Sequence, residues 1–411
     1  MHKTQNAYRI YLTLSFLQAV FFYAAFTIDS LYYVITAHLD PLQLVLVGTT
    51  LELSVLLFEI PTGIVADLYS RRLSTIIGFF LIGIGFLVQG AWAFFLPILA
   101  AQLLWGTGYT FTSGAVEAWI SDEIGEENAG EAFLNGAQRG QFGAMTGIVL
   151  GTLLGTINLR IPILTCGVLF LCLAVYLLLK MPEEHFKPAP REALHTWGNM
   201  RNTFKAGFSM LRVRPALISI LAIGFFYGLY SEGFDRLWVA LMLDRFVFPL
   251  VPTVIWFGGI HFVEAGLSSF VLGHVRNKID LSTNRALIRL LILASAGLSL
   301  ALVVFAFAGM LWLAIGMLWL IGILRGIIGP LHTTWVNQKL DPQVRATVIS
   351  MAGQVDAIGQ IAGGPGVGLI ARLVSIPIGI FTSATLLTPV LALLGKQYAR
   401  NNGSADTGTT L

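Results

Sequence analysis

The stretch Glu59-Ile-Pro-Thr-Gly63-Ile-Val-Ala-Asp67-Leu-Tyr-Ser70-Arg71-Arg72 decides the fold. An apolar run that already carries Glu52 ends within it, and a second apolar run starts at Leu73. A helix that crosses a bilayer needs roughly 20 apolar residues, so 67–72 reads as a very short polar loop between two membrane spans. Two adjacent arginines in such a loop mark the cytoplasmic side, where Lys and Arg accumulate. Gly63 would admit a neighbouring helix at close range. Asp67 would stabilise a helix N-terminus or pair with an arginine.

Composition carries the same reading to the whole chain. Of 411 residues, 56% are hydrophobic and only 11% are charged, and mean hydropathy is +0.77. A soluble domain is about 45–50% apolar and about 25% charged, so the chain is read as an all-α integral membrane protein. The net charge of +3 says little about partners, because topology places the charges. No nucleic-acid partner is expected. The first apolar run, 11–37, is too long for a signal-peptide core and has no small-residue cleavage site. Cys166 and Cys172 lie in one apolar run and read as packing residues, not a redox or metal pair.

Spans are expected at 8–37, 41–66, 72–95, 97–121, 130–155 and 159–180, then at 215–243, 252–274, 284–307, 310–335, 345–371 and 375–397. That organises the chain as a six-helix bundle (1–180), a linker (181–214), a second bundle (215–397) and a disordered tail (398–411). With an even number of spans, both ends share one side. Lys3, Arg9, Arg71, Arg72, Arg276, Lys278, Arg285, Arg289, Lys339, Arg345, Lys396 and Arg400 fall on one face with the linker, against Arg160, Arg245 and Arg372 on the other. Both termini are therefore expected in the cytoplasm of a cell-membrane protein. Within the linker, Trp197, Met200, Phe204, Phe208 and Leu211 recur at helical spacing with Arg201 and Lys205 among them, the pattern of a helix lying on the membrane surface.

The linker also divides a repeat. Phe21-Phe-Tyr23 matches Phe225-Phe-Tyr227, and Leu39-Asp40 matches Leu243-Asp244. Gly48 and Gly63 match Gly258 and Gly273, and Ala118-Trp-Ile-Ser121 matches Thr334-Trp-Val-Asn337. Gly136, Gly147 and Gly151 match Gly353, Gly364 and Gly368. Two six-helix halves in parallel orientation, related by a pseudo-two-fold axis, give twelve transmembrane helices.

Gly63-x-x-x-Asp67-x-x-x-Arg71-Arg72 resembles the signature loop between helices 2 and 3 of the major facilitator superfamily of secondary transporters. Leu68 stands where that family usually has a basic residue, and Ser70 where it usually has glycine. The resemblance covers nearly the whole chain. It implies a monomeric carrier that rocks two halves around a midplane site. It also implies that the glycine-rich fifth span (Gly136, Gly140, Gly143, Gly147, Gly151, Gly155) and eleventh span (Gly353, Gly359, Gly363, Gly364, Gly366, Gly368) serve as sliding surfaces between the halves. Glu59-Ile-Pro-Thr-Gly63, and Asp356-Ala-Ile-Gly359 leading into Gly364-Pro365, look like the drug-efflux members. Two departures stand against that branch: Gln102 replaces an arginine expected four residues before Gly106-Thr-Gly108, and Ile148 replaces a proline.

A charge inside the bilayer is costly unless paired, hydrated or protonated, so each is a functional candidate. Glu117 and Arg139 are expected to pair, as are Asp122 with Arg71 and Glu232 with Arg236 one turn away. Arg325 is expected to pair with Glu264 or Asp356. Asp29, Glu52, Asp235 and Glu264 remain as proton-coupling candidates. The resemblance implies that the first and seventh spans line a central cavity, which makes Phe26, Tyr32, Tyr227 and Tyr230, with Arg236, Arg325 and Asp356, the substrate-cavity candidates, and that Gly63, Asp67, Arg71, Arg72 and Asp122 form the gating loop. An aromatic cavity with a few carboxylates suits amphipathic, often cationic, small molecules. The expected function is therefore export of hydrophobic, drug-like compounds in exchange for protons, with no cofactor and no metal. The alternative is a carrier for a metabolite, organic anion or lipid on the same fold. No His-Glu-x-x-His, Walker loop or Gly-x-Ser-x-Gly occurs, so an enzyme is not expected.

Overall fold

Long apolar runs fix helices because a lipid-exposed backbone must satisfy its own hydrogen bonds. The computed structural model describes residues 2–188, 215–278, 284–339 and 342–406. Its elements are α1 (His2–Leu31) continued by a π-helical turn (Tyr32–Thr36), α2 (Pro41–Leu68), α3 (Arg71–Ala91), α4 (Phe95–Thr112), α5 (Ala115–Ile124), α6 (Glu126–Ile157) and α7 (Arg160–Lys180). There follow α8 (Pro215–Arg245), α9 (Thr253–Lys278), α10 (Asn284–Ala306), α11 (Leu311–Lys339), α12 (Pro342–Leu373), α13 (Ile376–Leu386) and α14 (Thr388–Asp406). No strand occurs among the described residues. Among the described residues, 8 stretches could cross a membrane by length and composition: six single helices or parts of them, α1 with its π-helical turn (Gln5–Thr36), and the α13–α14 pair from Ile376 to Ala399.

The expected fourth span is two helices. Gly114, at the start of α5, separates it from α4 with φ +71, a left-handed conformation that glycine adopts without steric penalty. The twelfth is likewise divided at Leu387 into α13 and α14. The last helix runs on to Asp406, past the point where the polar tail was expected to begin. The expected amphipathic helix of the linker, 197–211, lies outside the described residues.

The chain falls into two units. Unit 1 holds 1–39, 50–200 and 248–262, and unit 2 holds 40–49, 201–247 and 263–411. The first turns of α2 therefore group with the later helices, and the first turns of α9 with the earlier ones. In unit 1, α6 lies backbone to backbone on α1. A Cβ on Gly143, Gly147 or Gly151 would run into the carbonyl oxygens of Phe16, Val20 and Ala24 respectively. In unit 2 the repeat-related pair does the same. Gly359 and Gly363 of α12 face the carbonyls of Phe225 and Leu229 on α8, and Gly228 of α8 faces that of Asp356. Small residues bring helices close where lipid supplies no hydrophobic drive. The expectation of sliding surfaces is thus corrected for these glycines: they weld helices inside a unit. Pro61, Pro330 and Pro365 all lie inside continuous helices.

Candidate functional site

Unit 2 contains a cavity of about 490 Å³, within the range of small-molecule sites. Three helices build it. From α8 come Tyr227, Tyr230, Ser231 and Asp235; from α11, Arg325, His332 and Thr333; from α12, Asp356 and Gln360. Arg325 grips Asp235 with both terminal nitrogens, one of these bonds measuring 2.8 Å. The two side chains are 35% and 36% exposed, so the pair is reachable from the cavity. The Phe234 ring lies 6.0 Å from the same guanidinium. Asp356 accepts a 2.9 Å bond from Gln360 one turn on. Tyr227 shares a 2.7 Å bond with Ser295 of α10.

Arg325 has a different partner from those expected: Asp235 takes the guanidinium through two hydrogen bonds. Facing helices decide it, since Asp235 and Arg325 stand across from each other while Glu264 packs against Gly322, where a Cβ would collide with its carboxylate. Arg236 turns away from the cavity to Glu232, with Nε 2.9 Å from Oε1. Gly48 of α2 makes room for that pair, because any Cβ there would overlap it. Of the cavity candidates, Tyr227, Tyr230, Arg325 and Asp356 come together, joined by the proton candidate Asp235. Glu52 is half-buried in unit 1.

Asp29 is buried in unit 1 and accepts from Gln89 Nε2 at 2.8 Å. Gln89 Oε1 in turn accepts from the Tyr33 hydroxyl (3.0 Å) and from Gln102 Nε2 (3.0 Å), and its carbonyl accepts from Tyr32. Tyr32 is fully buried in this network, so its expected cavity role is corrected to a structural one. Gln102, where the drug-efflux pattern has arginine, is a working member of the same network. Phe26 belongs to an aromatic cluster with Phe22 (ring centroids 5.4 Å apart) and Trp105 (5.7 Å), again in unit 1.

The signature loop closes through the chain that leaves α7. Arg71 pairs with Asp122 and donates to the Ala118 carbonyl at 2.8 Å. Ser70 caps α3 by accepting from Leu73 N at 2.8 Å. Glu183 accepts from Arg72 N at 2.9 Å and from the Ser70 hydroxyl. Trp119 Nε1 donates to the Pro182 carbonyl (2.6 Å), and buried Glu123 accepts from the amides of Glu184 (2.8 Å) and His185 (3.0 Å). Arg72 itself reaches the Leu178 carbonyl at 2.6 Å. Two expectations fail here. Asp67 takes no arginine among the described residues, because Glu183 and Asp122 fill those roles. Gly63 has no neighbour within 4 Å of where a Cβ would stand. The Glu117–Arg139 pair is also not formed; both side chains are exposed.

Sequence reading missed Gln89, Glu123, Glu183, Ser295, His332 and Gln360. Only Gln360 had a signal, its spacing of four from Asp356 on one helix face. The others meet partners far away in the chain.

The family profile described as Major Facilitator Superfamily matches residues 12–364. A Bacillus subtilis (strain 168) protein, "Uncharacterized MFS-type transporter YxaM", is 24% identical over 375 residues, spanning 87% of this chain and 88% of its own. Among solved structures, the nucleoside transporter NupG aligns with TM-score 0.76 at 17% identity, covering 94% of this chain and 99% of its own. A bacterial homologue of the human lysosomal transporter Spinster, inward-facing and unoccupied, aligns at 0.73 and 14% identity, covering 96% and 97%. The human organic anion transporter MFSD10 aligns at 0.63 and 16% identity, covering 94% and 99%. With a family match over most of its length and the twelve-span helical fold behind it, this chain is a multi-pass membrane transporter that belongs to the Major Facilitator Superfamily.

Proposed function

We propose that the protein exports amphipathic, drug-like compounds, with cations preferred, in exchange for protons. The observation that carries this reading is the charge balance of the unit 2 cavity. Two carboxylates, Asp235 and Asp356, stand against one guanidinium, Arg325. Both arginines that might have received an anion are already paired, Arg325 with Asp235 and Arg236 with Glu232. The remaining acid, Asp356, touches a neutral amide. Such a lining attracts positive charge, and Tyr227 and Tyr230 supply ring faces that favour cations. Asp29, Glu52, Asp235 and Glu264 stay the candidates for the coupling proton, joined by Asp356. The two bundles rock about this site in a cell membrane, with both termini in the cytoplasm and the protein working as a monomer.

A second reading has its own support. Ser231, Thr333, His332 and Gln360 give the cavity a hydrogen-bonding lining, which suits a polar metabolite. The nucleoside transporter among the similar folds points the same way.

Purified protein in liposomes, challenged with a lipophilic cation, a nucleoside and an organic anion, separates them. Proton release coupled to the cation, and lost in Asp356→Asn, supports export of cations. A response to the nucleoside or anion alone replaces that reading with the metabolite carrier.

A further inference from the structure

The hydroxyl of Tyr227 does not serve the cavity. It is bonded at 2.7 Å to Ser295 of α10, a fully buried residue that does not line the cavity. What Tyr227 presents to a ligand is therefore its ring, held at a fixed angle by a partner on a fourth helix. Two more rings adjoin it. The Tyr230 centroid is 6.4 Å away with planes at 68°, and the His332 centroid is 5.9 Å away at 82°. Both are edge-to-face arrangements, which aromatic pairs prefer. The result is an angled aromatic wall in the cavity that Asp356 also lines.

We infer that Ser295 is a positioning residue for ligand recognition, and that through Tyr227 it selects molecules carrying an aromatic ring system together with a cationic group. The ring packs on the wall, and the cation faces Asp356. The inference rests on the cation reading above, but it concerns which cations bind. Tyr227 rotates about two side-chain torsions. Without the Ser295 bond the ring samples other orientations, and an aromatic ligand loses a prepared surface. A cation without rings loses less, since it meets the wall through its charge alone and stacks no ring on it.

The test compares tetraphenylphosphonium with tetrapropylammonium, which has the same charge and no rings. Binding is measured on the full-length purified protein, and transport on the same preparation in liposomes. Tetraphenylphosphonium is expected to bind wild type more tightly. Ser295→Ala and Tyr227→Phe should each weaken its KM and Kd by about threefold to tenfold, the factor one hydrogen bond is worth, and for Ser295→Ala, outside the cavity, the loss should fall on KM and not on kcat. The double variant should be no worse than either single one, because both remove the same bond. Tetrapropylammonium should lose clearly less than tetraphenylphosphonium, and Ser295→Thr, which keeps the hydroxyl, should bind tetraphenylphosphonium like wild type. Equal loss for both probes marks a merely structural role and overturns the inference. So do additive losses, or no binding of tetraphenylphosphonium to wild type. Ring-dependent binding without proton movement upholds the inference and instead sinks proton-coupled export.

Discussion

Arg325 and Asp235, ninety positions apart, meet through two hydrogen bonds across α11 and α8 and set the charge of the cavity. Removing one partner leaves the other facing a confined site. Asp235→Asn and Arg325→Gln are each expected to lower stability by about 1–3 kcal/mol, less than for a fully buried pair because both ends are partly exposed. The double variant should recover part of that loss. Thermal unfolding of all four proteins in one detergent measures the coupling, and strictly additive losses would mean the pair is not held.

Glu123 is the anchor of the segment that follows α7. It is 6% exposed and receives the amides of Glu184 and His185. Bonds to a charged acceptor contribute about 1.5–3 kcal/mol each. Glu123→Ala should therefore speed hydrogen exchange at amides 184 and 185 by about tenfold or more, since one such bond corresponds to that factor. Unchanged protection would show that the segment is held from elsewhere.

Two glycines should behave oppositely. At Gly147 a Cβ would stand 3.0 Å from Ala24 N and 3.1 Å from Tyr23 Cβ, and closer still to the Val20 carbonyl. Gly147→Ala must push α6 off α1, at a cost of about 1–3 kcal/mol. Gly63→Ala meets no atom and should leave unfolding within about 0.5 kcal/mol of wild type. Melting curves of the two variants decide this, and equal shifts would contradict the packing described.

Gln89 joins Asp29, Tyr33 and Gln102 through its side chain. Gln89→Leu removes a donor and an acceptor from buried groups, which costs about 1–3 kcal/mol for each group left unsatisfied. Gln89→Glu should be worse than its volume suggests, because it places a second carboxyl beside Asp29. Comparing Gln89→Glu alone with the same change in an Asp29→Asn background reads the repulsion directly. Identical melting temperatures would remove it.

Much of the fold was legible. Spans, loops and the two-half repeat follow from runs of apolar residues and from glycine spacing, both local patterns that a bilayer enforces everywhere. The pairs Arg71–Asp122 and Arg236–Glu232 were also accessible, the first from depth and the second from helical spacing. Arg325 was assigned the wrong acid. Depth in the membrane is readable from position along a span, and it named Glu264 and Asp356 but passed over Asp235 on α8. The rotation of α8 against α11 selects among them. Tyr32 failed for the same reason: an aromatic on the first span can face a cavity or a neighbouring helix, and here it faces Gln89.

By itself, the sequence determined that this chain crosses a membrane many times, that it carries an internal repeat, and that its signature loop is the short knot ending in Arg71 and Arg72. Hydropathy and spacing encode these because each depends only on residues close together in the chain. Tertiary structure alone decided that Asp235 neutralises Arg325, that Glu183 rather than Asp67 supports the Ser70-capped start of α3, and that the Tyr227 hydroxyl bonds Ser295. Each is a contact between helices distant in sequence, and its outcome depends on axial rotation and close approach. No single helix's pattern records those two quantities.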